Sequence, residues 1–358
     1  MKRYENIVNA FRDIAVKGKE PKIDITDILI DSGCYSLLKK CATSYISKET
    51  VSTLVKKNQE EVRLRYTDCE KLFYELNSSG ISYVVMKGAV LSQMLYDNPY
   101  LRVSHDIDLL VDRKDSSRVD SIMKQCGFIQ GKISGTEIVP YNRQKIVFEA
   151  MLTHQLAPYV KKNGNKPDIF TNVDVNVDVL WGEAEEVIDI QDVLLQTETI
   201  IIAGVRVNKL IKEMEFIAMC LHHYKDMNSL FLLSKKSMSI RLFLDIYFYL
   251  KNNNLNLDKL VDISKRYNIS KYVYYCLNFT YQLFEDEILI PYLCQFEFAR
   301  EVHLLKSYGL NEKERLTWNN TFWERIFDNN MQLDMENVLP EPLQEKIEIN
   351  KRMILNEN

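Results

Sequence analysis

The chain has 358 residues, 46% hydrophobic and 27% charged, with 11 glycines, 8 prolines and a formal net charge of −4. Such a length calls for two or three packed units, and such a balance excludes a disordered or low-complexity chain. With no basic excess the chain lacks the footprint of a protein that grips nucleic acid by its phosphates, and no segment reaches the ~18 to 20 consecutive apolar residues of a membrane span.

The N-terminus, MKRYENIVNAFRDIAVKGKE, alternates charged and apolar residues without the apolar run of a signal peptide, so a soluble, cytoplasmic chain with no membrane partner is expected. Seven scattered cysteines (Cys34, Cys41, Cys69, Cys126, Cys220, Cys276, Cys294), with no C-x-x-C pair, read as reduced and mostly buried thiols rather than a zinc site or a disulfide framework.

Tyr4, Ile7, Val8, Phe11 and Ile14 recur at helical spacing, as do apolar residues from Val51 to Leu76, and predict an N-terminal helical unit over residues 1–79. The run Ser78-Ser79-Gly80 breaks it. A β-branched and aromatic strand follows over 81–86 and ends at Lys87-Gly88. Next come a helix over about 89–97, a loop through Pro99 and Arg102, a strand over 106–111, a helix over 115–126 and a strand opening at Gly127. Residues 145–151 and 173–181 read as two further strands around the turn Lys161-Lys162-Asn163-Gly164-Asn165, and a hairpin over 199–210 turns at Ala203-Gly204. These elements make an α/β core over 80–210. From 211 to 358 the helical period returns, over 214–224, 240–250, 257–267 and 273–284, and predicts a C-terminal helical unit. The expected class is α+β: a mixed sheet flanked by two helical units.

Chemistry concentrates in Arg102-Val103-Ser104-His105-Asp106-Ile107-Asp108-Leu109-Leu110-Val111. Alternate strand residues share a face, so Asp106 and Asp108 project together while Ile107, Leu109 and Val111 enter the core. Two carboxylates held side by side repel unless a cation sits between them, and a hard divalent ion, magnesium first, suits oxygen ligands. The segment from Val173 alternates again, placing Asp174, Asn176 and Asp178 on one face as sources of a third carboxylate.

The ensemble Lys87-Gly88, Leu91, Tyr96, Arg102-x-Ser104-x-Asp106-Ile107-Asp108-Leu109-Leu110-Val111 and Asp178-Val179-x-Trp181 resembles the largely uncharacterised bacterial nucleotidyltransferase family of the DNA polymerase β superfamily, over about residues 81 to 250. The resemblance implies that Asp106 and Asp108 bridge two Mg2+ ions (Mn2+ is the substitute), and that Asp178, favoured over Asp174 for its place before Val-x-Trp, binds the catalytic ion and takes the acceptor proton. Lys87, Gly88, Arg102 and Ser104 are the implied nucleoside triphosphate ligands; Gly88-Ala89 departs from the superfamily's Gly-Ser, which removes a phosphate-binding hydroxyl. The segment Met219-Cys220-Leu221-His222 through Arg241-Leu242-Phe243-Leu244-Asp245 resembles the helical part that follows the family's core; His222, His223 and Asp245 are expected to serve in packing and capping.

The implied reaction moves a nucleoside monophosphate to an acceptor hydroxyl and releases pyrophosphate. A small-molecule acceptor is favoured over protein or tRNA. Rival readings are a metal-dependent glycosyltransferase using a nucleotide-sugar, a non-catalytic nucleotide-binding module, and a toxin-like tRNA nucleotidyltransferase.

Overall fold

The computed structural model describes residues 4–41, 44–182, 184–233 and 238–328; the expected C-terminal unit beyond 328 lies outside them. Four helices come first: α1 (Glu5–Ala15), α2 (Thr26–Asp31), α3 (Tyr35–Leu38) and the long α4 (Lys48–Ser79). The Ser47 side chain caps α4 by accepting from the Thr50 amide, and Gly80, at φ 72°, ends it in the left-handed conformation that a residue without Cβ adopts at least cost.

The α/β region runs β1 (Tyr83–Met86), α5 (Gly88–Leu95), β2 (Asp106–Val111), α6 (Ser116–Gln125), β3 (Ile129–Ser134), β4 (Glu137–Pro140), α7 (Arg143–Leu152), β5 (Tyr159–Lys162) and β6 (Phe170–Asn176). Its six strands lie in the order β1-β2-β6-β5-β3-β4. Of its neighbouring pairs only one, β2 with β6, is parallel. After α8 (Ile190–Leu195), the hairpin of β7 (Thr197–Ile202) and β8 (Val205–Leu210) leads into the second run of helices: α9 (Lys212–Asn228), α10 (Leu230–Leu233), α11 (Ile240–Asn252), α12 (Leu257–Arg266), α13 (Ser270–Phe284) and shorter elements to Phe327. No described helix is long and apolar enough to cross a membrane.

The two faces of the sheet serve different cores. Tyr83, Val85, Ile107, Leu109, Val111, Val173 and Val175 pack with α4 and α6. On the opposite face Val84, Met86 and Leu110 join a larger core built from α1 to α3 and the C-terminal helices, so the N-terminal helices divide between both cores. This period-2 division of β2 and β6 sets the site, because Asp106, Asp108 and Asp174 occupy the face turned toward the C-terminal helices.

Two expected strands are corrected. Residues 145–151 are helical, within α7: Asn142 caps it by accepting from the Lys145 amide, and Lys145 pairs with Glu149 one turn on. The run Ile146-Val147-Phe148 reads as a strand by composition, yet the cap and the i, i+4 pair settle the helix. The strand expected over 173–181 spans Phe170–Asn176, so Asp178 lies beyond its end. Six of the seven cysteines are buried, all seven are free, and Cys294 is exposed.

Candidate active site

Register places the acidic residues. Asp108 on β2 is paired with Met86 on β1 and with Asp174 on β6, while Asp106 lies opposite Asn172. Asp106, Asp108 and Asp174 thereby line one cavity of about 400 Å³, together with Lys87, Gly88, Arg102 and Ser104 from the core and His222, His223, Lys225, Asp226, Arg241 and Asp245 from α9 and α11.

Asp178 does not join them at this cavity. It lines an adjoining crevice with His154, Asn176 and Trp181, and its Oδ1 accepts from the Leu180 amide at 3.0 Å. The chain has left the strand by this point, so the alternation that put Asp178 on the same face as Asp174 no longer applies. The carboxylate that β6 brings to the cavity is Asp174.

The turn from β1 to α5 is constrained at two consecutive residues. Lys87 has φ 55° and ψ −129°, an uncommon conformation for a residue with a Cβ, and such strain gathers at functional turns. It carries the Lys87 ammonium to 2.6 Å from Asp108 Oδ1. Gly88 then opens α5; a Cβ there would stand 2.2 Å from Ser104 Oγ and 3.1 Å from Arg102 Nη1, so only glycine fits. The Ser104 hydroxyl therefore reaches the first turn of α5, close to where Ala89 offers none.

Asp108, 5% exposed, accepts at Oδ1 from both Lys87 and the Asn176 amide, the latter at 3.2 Å. Burial works against the charge on Lys87, but Asp108, Asp106 and Asp174 together hold its pKa above the ordinary value. Burial and the Asp108 charge raise the Asp106 carboxyl. Burial, with Asp108 and Asp106 behind it, pushes Asp174 up to about 7. One ammonium thus faces three carboxylates, and two of them are held above their ordinary range.

Among the described residues no three His, Cys, Asp or Glu side chains are already gathered as a metal-holding group. The donor set suits a hard divalent cation all the same: its ligands are oxygens on adjacent strands, with more negative charge than Lys87 offsets.

Arg102 lines the cleft as expected, with one edge of its guanidinium already occupied. Its Nε and Nη2 edge is taken by Asp245, at 3.1 and 2.7 Å. Asp245 is therefore an ion-pair partner rather than a helix cap. Burial pushes His223, 2% exposed, down to about 4, and His154 down to about 3, so both rings are neutral at physiological pH. His222 lies 4.0 Å from Asp226. Arg241 and Lys225 were given no role by sequence reasoning; the one available signal was Arg241 and Asp245, charges four apart around the apolar run Leu242-Phe243-Leu244.

The model of a family described as "Uncharacterised nucleotidyltransferase" matches residues 34–285. No curated protein gives a significant match. Among solved structures, the chain is similar to that of an antigenic nucleotidyltransferase-like protein from Paracoccidioides brasiliensis, at 16% identity over 58% of this chain and 91% of that one, with a TM-score of 0.32.

Proposed function

The chain belongs to the uncharacterised nucleotidyltransferase family, and we propose that it transfers a nucleoside monophosphate from a nucleoside triphosphate to an acceptor hydroxyl at the cleft between β2, β6 and α9, through a core of the DNA polymerase β type. One observation carries the proposal. Asp106, Asp108 and Asp174, from two adjacent strands, face one cavity that the N-terminal turn of α5 also lines.

In this reaction the acceptor oxygen forms a bond to the α-phosphorus while the bond from that phosphorus to the bridging oxygen of pyrophosphate breaks. Asp106 and Asp108 would hold Mg2+, with Mn2+ as a substitute, and Asp174 would complete the set. Bound there, the metal would offset charge on the attacking and leaving oxygens. Asp174, beside Asp108 on the neighbouring strand, would also take the acceptor proton. The amides of the first turn of α5 would donate to phosphate oxygens, joined by the Ser104 hydroxyl if it leaves its 3.3 Å bond to the Asp106 carbonyl. Lys87 offsets carboxylate charge and turns toward phosphate when a cation takes over that task.

The acceptor in this reading is a small molecule. A formal net charge of −4 gives no general attraction for a polyanion, and the cleft is walled on its far side by α9 and α11. The test is incubation of the protein with each labelled nucleoside triphosphate, Mg2+ and a cell extract, followed by separation into small molecules, protein and RNA. Label in the small-molecule fraction, lost with Asp108→Asn, is the expected result; no label in any fraction with any triphosphate overturns the reading.

A further inference from the structure

Phosphate binding at this cleft must do without a hydroxyl at Ala89, and the fold offers a replacement beside the same turn. Arg102 is 8% exposed and Asp245 1% exposed. A pair this deeply buried contributes little net stability unless its geometry is good, and it is often retained to fix a conformation. Asp245 is itself held by the Tyr96 hydroxyl, which donates to Oδ1 at 3.1 Å.

The pair engages only one edge of the guanidinium. Nε and Nη2 bind Asp245, while Nη1 has no hydrogen-bond partner among the described residues and lies 3.1 Å from the position of a Cβ on Gly88, beside the first turn of α5. Arg241, one turn before Asp245 on the same face of α11, donates Nη1 to the Val103 carbonyl at 2.8 Å and lines the cavity. Helix α11 therefore grips the segment 102–104 twice, immediately before the carboxylate strand.

We propose that Asp245 is a positioning residue for the triphosphate: it fixes the Arg102 guanidinium so that Nη1, flanked by Arg241, meets the phosphate oxygens at the N-terminal turn of α5. This rests on nucleotidyl transfer at the same cleft and adds that the C-terminal helices form half of the phosphate site. A fixed guanidinium gives a charge-assisted hydrogen bond without the ordering cost of a mobile arginine.

The experiment titrates the full chain with inorganic tripolyphosphate, with and without Mg2+, by calorimetry. Asp245→Asn is expected to weaken binding about tenfold or more, equivalent to ~1.4 kcal/mol, and to raise KM for the triphosphate more than it lowers kcat. Asp245→Glu should restore part of the loss. Because Asp245→Asn leaves a buried arginine unpaired and can unfold the chain, a double variant, Arg102→Met with Asp245→Leu, removes both charges; once its melting curve shows a folded protein, it should lose tripolyphosphate to the same degree. A folded double variant that binds tripolyphosphate like the unaltered chain overturns the inference, as does an unaltered chain that binds none. Asp245-dependent tripolyphosphate binding in a chain that transfers no nucleotide would instead uphold this inference and bring down the transfer reading alone.

Discussion

Asp108 on β2 and Asp174 on β6 are register partners on adjacent parallel strands, so their carboxylates leave the same face of the sheet side by side. Asp178, four residues beyond Asp174, is past the end of β6 and accepts a turn amide instead. The expectation for variants follows from this difference. Asp174→Asn should reduce nucleotide transfer by on the order of 100-fold or more, because it removes charge from the set that would hold the metal and the group that would take the acceptor proton. Asp178→Asn should cost less than about tenfold, since an asparagine oxygen can still accept from the Leu180 amide. Rates measured side by side decide it; the reverse order would return the third carboxylate to Asp178.

Gly88→Ala tests the close approach at the start of α5. The added methyl would stand 2.2 Å from Ser104 Oγ, so the Arg102–Ser104 segment or the helix must shift. Overpacking of this kind costs about 1–3 kcal/mol. A lower melting temperature and reduced triphosphate affinity are expected. The second change Ser104→Gly should restore most of the melting temperature but not the affinity. Full recovery of both would show that the hydroxyl has no part in binding.

Much of this arrangement was legible in the chain. The alternation Asp106-Ile107-Asp108-Leu109 fixes which face each residue takes once β2 exists, because strand geometry leaves no other choice. The hairpin at Ala203-Gly204 was readable from its turn residues, and the helices after 211 from their apolar period. Local composition fails where a cap or the end of a strand decides. The sequence around Val147 looks extended but is helical, and the alternation from Val173 continues through Asp178 although β6 has ended. The partnership of Arg102 with Asp245 spans 143 positions and depends on how α11 packs against α5 and the segment before β2, which no local pattern encodes.

Glu215, at the start of α9 and lining the same cavity, provides a pH test on a carboxyl outside β2 and β6. It is 2% exposed, neither carboxylate oxygen has a hydrogen-bond partner among the described residues, and Lys209 Nζ is 3.9 Å away. Burial pushes its carboxyl up to about 8, although Lys209 opposes this. The folded chain therefore keeps a proton that the unfolded chain releases near pH 4.5. Glu215 favours the folded state fully below that pH, and the benefit is lost as pH rises toward 8, by up to about 1.4 kcal/mol per pH unit. Glu215→Gln should flatten the fall in melting temperature between pH 5 and 8. An unchanged slope would show that the carboxylate finds a partner or water.

Lys87 decides whether the carboxylate cluster is built for a cation from solution or only for its own ammonium. The ammonium lies 2.6 Å from Asp108 Oδ1, and Asp108 is 5% exposed. Lys87→Met keeps the backbone cost of φ 55°, because methionine also has a Cβ, and removes only the charge. Without Mg2+ the variant should be less stable by about 3 kcal/mol, since Asp108 is left with the Asn176 amide and two neighbouring carboxylates. Adding Mg2+ should then raise its melting temperature more than it raises that of the unaltered chain. The ion no longer competes with an ammonium, binds more tightly, and stabilises the folded state in proportion to the logarithm of one plus its concentration over its Kd. Melting curves of both proteins at rising Mg2+ concentration, with Ca2+ and added NaCl as controls, give the answer independently of any transfer assay. A purely structural Lys87–Asp108 pair predicts the same initial loss of stability but no recovery with Mg2+, and that outcome would end the metal-site reading.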